Sequence, residues 1–243
     1  MGLFPPLDVL ARVPLLPVLI WQGLSIRRHA LILPEASGPR HGVVGEGRDL
    51  RLLILGDSSA AGVGVSTQTE ALCGQLVAQL AKEYRLEWEL IARTGARTED
   101  ADAMLAGARR RKYDVVLTAL GVNDAVRFVS TRKWREKQRQ LRQRLREEFG
   151  AAALIVTAVP PMEKFEALTP LLQWMLGHQA RRMDLALQQD LATETDSQYL
   201  TLDMEFTPDA MAQDGYHPSA KTYAKWGARA AELLRSAHVG QEN

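Results

Sequence analysis

Residues 50–64 read LRLLILGDSSAAGVG. Leu50 to Leu55 is continuously apolar apart from Arg51 and stops at Gly56, the pattern of a strand buried on both faces. Outward from it, apolar runs alternate with helical patterns. Gln68 to Tyr84 carries Leu72, Leu76, Leu80 and Tyr84 at intervals of four, which predicts an amphipathic helix. Leu86 to Ala92 reads as a second strand, Glu99 to Arg111 as an alanine-rich helix, and Tyr113 to Leu120 as a third strand. Thr131 to Phe149 is a charged helix with Trp134, Leu141 and Leu145 on one face. A fourth strand over Ala152 to Val159, a helix over Pro170 to Ala192, a short fifth strand over Tyr199 to Leu202 and a last helix over Ser219 to Arg235 complete the series. Strands alternating with helices imply a parallel sheet with right-handed crossovers. Residues 49–237 therefore predict one α/β domain, a three-layer α/β/α sandwich with a five-stranded parallel sheet, flavodoxin-like in plan, with residues 238–243 as a tail.

The composition suits such a domain: of 243 residues, 46% are hydrophobic and 24% charged. With 30 basic and 29 acidic side chains the net charge is +1, so nothing global draws the chain to nucleic acid. A single cysteine, Cys73, excludes an intrachain disulfide framework and a cysteine zinc site, and its leucine neighbours predict a buried small side chain. The absence of disulfides fits a reducing compartment, and no His/Cys/Asp cluster has metal-ligand spacing. The helix from Thr131 holds eight Lys or Arg against three Glu, which reads as a solvated face in preference to an anion site.

The first 48 residues differ from the rest. Residues 13–24 (VPLLPVLIWQGL) are apolar, but Pro14 and Pro17 interrupt any regular helix, and the run is shorter than the roughly 20 residues a spanning helix needs. A secretory signal fits poorly, since only Arg12 precedes the run and no small-residue cleavage site follows. Arg27-Arg28-His29 comes next, then a Pro/Gly-rich stretch from Pro34 to Gly47 that reads as a linker. Two readings stand: an arm packed on the domain or on a second subunit, or a membrane-surface anchor over residues 13–28 with Trp21 at the interface and Arg27 and Arg28 near anionic headgroups. Cytoplasmic or peripherally membrane-associated placement is favoured over secretion.

Ligands of a parallel sheet bind at the carboxyl ends of its strands, so the loops there matter most. The first strand runs into Gly56-Asp57-Ser58-Ser59, where a serine can stand exposed or simply cap a turn. The second runs into Thr94-Gly95-Ala96, offering a backbone N–H beside a glycine or an ordinary turn before a helix capped by Thr98. The third runs into Asn123-Asp124, an amide donor or an Asx turn. Beyond the fifth lies Asp214-Gly215-Tyr216-His217, in which a carboxylate three residues from an imidazole can orient it, or cap a surface loop. Together these loops bring what acyl transfer requires to one sheet edge: a hydroxyl, a base with its orienting carboxylate, and donors for an oxyanion.

The four segments around Ser58, Gly95, Asn123 and Asp214/His217 resemble, in order, the motif blocks of the SGNH (GDSL-type) hydrolases, over nearly all of residues 50–236. The resemblance implies the same sandwich fold, Ser58 as nucleophile, His217 as general base and acid, and Asp214 as its orienting partner. It also implies an oxyanion hole made by the N–H groups of Ser58 and Gly95 and the amide of Asn123, with no cofactor and no metal. Ser59 departs from the leucine that commonly follows the serine. The G-x-S-x-G elbow of α/β-hydrolases is absent, since residues 56–60 read GDSSA.

After the fourth strand, the segment from Val159 through Pro161, Met162, Phe165, Leu168, Leu171, Leu172 and Trp174 lies near the same edge; it can line an acyl pocket or a flap, or be the buried side of the next helix. Pro161, Met162, Phe165 and Trp174 are the candidate substrate contacts. The expected activity is hydrolysis of small-molecule acyl esters, of the lipase, esterase or thioesterase kind. Alternatives are a carbohydrate O-deacetylase, disfavoured by an aromatic content of 6%, and a non-catalytic acyl- or lipid-binding module on the same fold, which would not require the triad.

Overall fold

The computed structural model describes residues 7–29, 31–108, 112–202 and 207–239. Its sheet has six strands: β1 (His41–Val44), β2 (Arg48–Gly56), β3 (Tyr84–Ala92), β4 (Val115–Ala119), β5 (Ala153–Thr157) and β6 (Ser197–Leu200), in spatial order β1-β3-β2-β4-β5-β6. β3, β2, β4, β5 and β6 are parallel, in the flavodoxin-like order. Five strands were expected; the sixth, β1, pairs antiparallel with the outer edge of β3, His41 opposite Glu89 and Val44 opposite Leu86. It comes from the stretch read as a linker, so that stretch is part of the sheet.

Apolar alternation along the central strands supplies two cores. Leu50, Leu52 and Ile54 of β2 face α2 (Leu72–Leu80) and α7 (Ala220–Val239), with Tyr223 and Trp226 buried among them. Leu53 and Leu55 face the opposite layer, built from α3 (Ala101–Leu105), α4 (Val122–Val126), α5 (Thr131–Glu147) and α6 (Pro170–Leu191). Several helices are shorter than the sequence pattern suggests. The segment from Glu99 begins with a 3-10 turn over Thr98–Asp100, and residues 109–111 at its end lie outside the described ones. Cys73 is buried, and burial pushes its thiol up to about 12.

The basic face of α5 is solvated in part, with Arg132, Lys133 and Arg139 exposed, but most of its arginines are engaged by carboxylates. Arg135 and Arg139 pair with Asp190 at the end of α6, while Arg146 reaches Glu194 and Asp196. Arg142 is fully buried and donates to Glu194 from Nε at 3.1 Å and Nη2 at 2.8 Å. The spacing of the basic residues matches carboxylates some 50 positions later, a relation that local charge counting does not contain.

Pro14 and Pro17 do not break the amino-terminal segment: α1 is one helix over Leu7–His29. Each proline removes a helical N–H and crowds the preceding turn, so contacts with the domain must offset the loss. Asp8 is buried and accepts from both terminal nitrogens of Arg182 at 2.7 Å. Arg12 lies over the Phe128 ring, 4.5 Å from its centroid, and donates to Gln179 Oε1. Thr169 Oγ1, at the start of α6, donates to Gln22 Oε1 at 2.8 Å, and Leu19 is buried against the same layer. The arm thus docks on the domain. The side chain of Arg27 lies outside the described residues.

Candidate active site

β2 ends at Gly56, and the chain then turns sharply, with Ala61 N–H donating to the Asp57 carbonyl at 2.9 Å and Val63 N–H to the Ser58 carbonyl at 3.0 Å. This places Ser58 at the carboxyl edge of the sheet, beside the gap between β2 and β4 where the strand order reverses. Gly64 has φ +109°, and a Cβ there would collide with the carbonyl oxygen of Pro218; glycine is what allows the serine loop to lie against the loop of His217. On the far side, Ala212 N–H donates to the His217 carbonyl at 2.7 Å, and Tyr223 Oη of α7 donates to the Val63 carbonyl at 2.7 Å.

The three side chains form one row. Ser58 Oγ lies 2.9 Å from His217 Nε2, and His217 Nδ1 lies 2.6 Å from Asp214 Oδ2. Burial of Asp214 raises its pKa, but the His217 ring and the backbone N–H groups of His217 and Tyr216 outweigh that and hold the carboxyl below its ordinary value. An ionised Asp214 can only accept, so Nδ1 carries the ring hydrogen and Nε2 is the acceptor for the serine hydroxyl. That arrangement can take a proton from Ser58 as its oxygen attacks and return it to a leaving group.

The residues expected to serve an oxyanion lie in the neighbouring loops. Asn123 opens α4 and donates through Nδ2 to the carbonyl of Ala96 at 3.0 Å, which ties it to the loop of Gly95. Gly95 has φ +77° with open space where a Cβ would stand, so this backbone can approach a ligand closely. The adjacent Asp124 is buried and accepts from Thr98 N and Oγ1, both at 2.9 Å; its burial raises its pKa despite them. Glu35 grips the loop from the other side, accepting from Thr94 N and Oγ1, both at 2.7 Å, and from Arg40. Burial of Glu35 is outweighed by these Thr94 and Arg40 bonds, which keep it low and ionised. Sequence reading missed Glu35 because its partner is 59 positions away. Ser59, the departure in the first motif block, donates from both N and Oγ to Asp57 Oδ1, at 3.0 and 2.7 Å. Asp57 is buried, which raises its pKa.

A cavity opens beside Ser58, Asn123 and His217, walled by Leu120, Val122, Phe165, Leu202 and Trp226. Of the four expected substrate contacts only Phe165 lines it. Met162 begins a 3-10 turn and is buried in the core, Trp174 packs on the helical layer beside His178, and Pro161 lines a neighbouring groove together with Arg181 and Asp184. Tyr216, missed by the sequence reading, lines the cavity between Phe165 and His217, its ring edge-on to both, with centroids 5.2 and 5.3 Å away.

Comparison with known proteins agrees with the fold. TesA superposes with a TM-score of 0.61 at 19% identity, covering 77% of this chain and 99% of that one. The psychrotrophic esterase EstA from Pseudoalteromonas sp., in a structure inhibited by monoethylphosphonate, gives 0.58 at 19% identity over 77% of this chain and 98% of that one. Axe2, an acetylxylan esterase from Geobacillus stearothermophilus, gives 0.52 at 16% identity over 80% and 96%. No curated protein matches the sequence. The profile of the GDSL-like Lipase/Acylhydrolase family matches residues 54–225, from the serine loop through the histidine loop into α7. The chain belongs to that family and is a carboxylic ester hydrolase.

Proposed function

We propose that this protein cleaves esters of apolar acyl groups through an acyl-enzyme on Ser58. The observation that carries the reading is the row Ser58 Oγ to His217 Nε2 at 2.9 Å and His217 Nδ1 to Asp214 at 2.6 Å, beside an apolar cavity. Ser58 Oγ bonds to the ester carbonyl carbon while its proton passes to His217. The oxyanion that forms is met by the N–H groups of Ser58 and Gly95 and by Asn123, whose amide gives one hydrogen to Ala96 and the other, over a long 3.4 Å, to Asp57 Oδ2, from which it turns to the oxyanion. The carbon–alcohol bond then breaks as His217 protonates the departing oxygen. Water, activated by the same imidazole, attacks the acyl-enzyme and releases the acid. The wall formed by Leu120, Val122, Phe165 and Leu202 favours an alkyl acyl chain over a hydroxyl-rich group.

The test is turnover of p-nitrophenyl esters of increasing acyl length by the full chain and by Ser58→Ala and His217→Ala. The reading expects hydrolysis that depends on acyl length and is abolished in both variants; substantial turnover by a folded Ser58→Ala protein would overturn it.

A further inference from the structure

Helix α1 is turned inside out relative to an ordinary surface helix. Its polar side chains face the domain: Asp8 is 1% exposed against Arg182, Arg12 lies over Phe128, and Gln22 meets Thr169. Every exposed residue from Leu7 to Trp21 is apolar, among them Val13 at 80% and Trp21 at 68% exposure, with Leu10, Leu16 and Ile20 between. A helix that packs on a protein and faces water has the opposite arrangement. The apolar surface continues past the helix into Leu31 and Ile32, the latter 87% exposed.

Within the segment itself the charge beyond Asp8 has one sign. Between Asp8 and Glu35 the sequence holds no acidic residue, whereas Arg12, Arg27 and Arg28 are basic and Arg28 is exposed at the helix end. No described helix is long and apolar enough to cross a membrane. An apolar helix face with an interfacial tryptophan and a terminal cation is the composition that lies flat in the headgroup region of an anionic bilayer.

The face also borders the catalytic edge. Gln22 is bonded to Thr169, four residues after the cavity-lining Phe165, and the chain beyond Ile32 reaches Glu35, which holds Thr94 beside Gly95. We infer that the outward face of α1, with Leu31 and Ile32, seats on an anionic phospholipid bilayer and that esters reach Ser58 from that surface. The seating stands on the geometry of α1 alone; only the delivery of substrate rests on the ester-hydrolase reading.

The experiment compares the full chain with Val13→Glu/Trp21→Ser, two exposed positions that do not line the Ser58 cavity, for co-sedimentation with vesicles of phosphatidylglycerol and phosphatidylcholine. Hydrolysis of a water-soluble ester and of a vesicle-borne ester is measured in parallel. The inference expects binding to anionic vesicles, an affinity about tenfold or more lower in the variant, a matching loss on the vesicle-borne ester, and unchanged soluble-ester turnover. It is overturned by failure of the full chain to bind, by equal binding of the variant, or by a dimer in light scattering that the substitutions dissolve while vesicle binding is absent. Ser58→Ala protein should bind vesicles as the full chain does. Vesicle binding without any ester hydrolysis would therefore remove the catalytic reading and leave the surface standing.

Discussion

The carboxylate of Glu35 holds both the backbone N–H and the hydroxyl of Thr94 at 2.7 Å, one residue before Gly95. An oxyanion donor stabilises a transition state only if it is already in place, so with Gly95 in its proposed donor role this clamp should act on the rate through the position of Gly95. Glu35→Gln keeps the shape but weakens acceptance from Thr94. The expected result is a kcat about 10-fold lower with KM nearly unchanged, in the range for a small misplacement of a catalytic group. A rise in KM alone would assign Glu35 to substrate binding.

Asn123→Ala removes the side-chain donor and its tie to Ala96. A fall in kcat of roughly 100- to 1,000-fold is expected, the range for losing one oxyanion donor, with binding of a substrate analogue retained. Steady-state kinetics paired with analogue titration separates the two effects.

Phe165 stands at the wall of the cavity with its ring edge-on to Tyr216 at 5.2 Å. Phe165→Ala lengthens the space available to an acyl chain. The ratio of kcat/KM for long over short p-nitrophenyl esters should rise by about tenfold; an unchanged ratio would place the acyl chain elsewhere.

The ion cluster behind α5 should govern acid stability. Burial of Glu194 is outweighed by hydrogen bonds from Arg142, Ser197 and Arg146, so its folded pKa lies below its ordinary 4.5; Asp190 and Asp196 are likewise lowered below 3.8. A carboxylate with a depressed folded pKa contributes stability that is fully present above its unfolded value and is lost as pH falls through the folded one. The melting temperature should therefore be flat above about pH 5 and fall steeply below about pH 4. Glu194→Ala leaves the buried Arg142, among the described residues, with Asp190 alone, 3.8 Å away, and should cost about 3 kcal/mol at neutral pH, the low end for breaking a buried pair. Calorimetry across the pH range checks both, and a melting curve of the variant that keeps the full acid dependence would remove Glu194 from the explanation.

The readable parts of the sequence were those governed by local pattern. The apolar run ending at Gly56 marks β2 by itself, and strand ends followed by Ser58, Asn123 and His217 locate one sheet edge before any contact is known. The unread parts depend on distant partners. β1 is four residues long, has no alternation of its own and is held by backbone pairing to β3. α1 survives two prolines because Asp8 meets Arg182, 174 positions later. The segment after β5 was readable as apolar, yet a 3-10 turn at Met162 sends that side chain into the core while Phe165 faces the cavity.

Ser58 Oγ, in the row through His217 to Asp214, is the proposed nucleophile, and covalent capture reads that claim directly. The full chain is treated with a fluorophosphonate and the adduct is mapped by peptide mass spectrometry. The predicted result is one phosphonyl group, on Ser58, absent from Ser58→Ala and strongly slowed in His217→Ala. An unlabelled protein that still hydrolyses ester, or a label on another residue with Ser58 untouched, would contradict it.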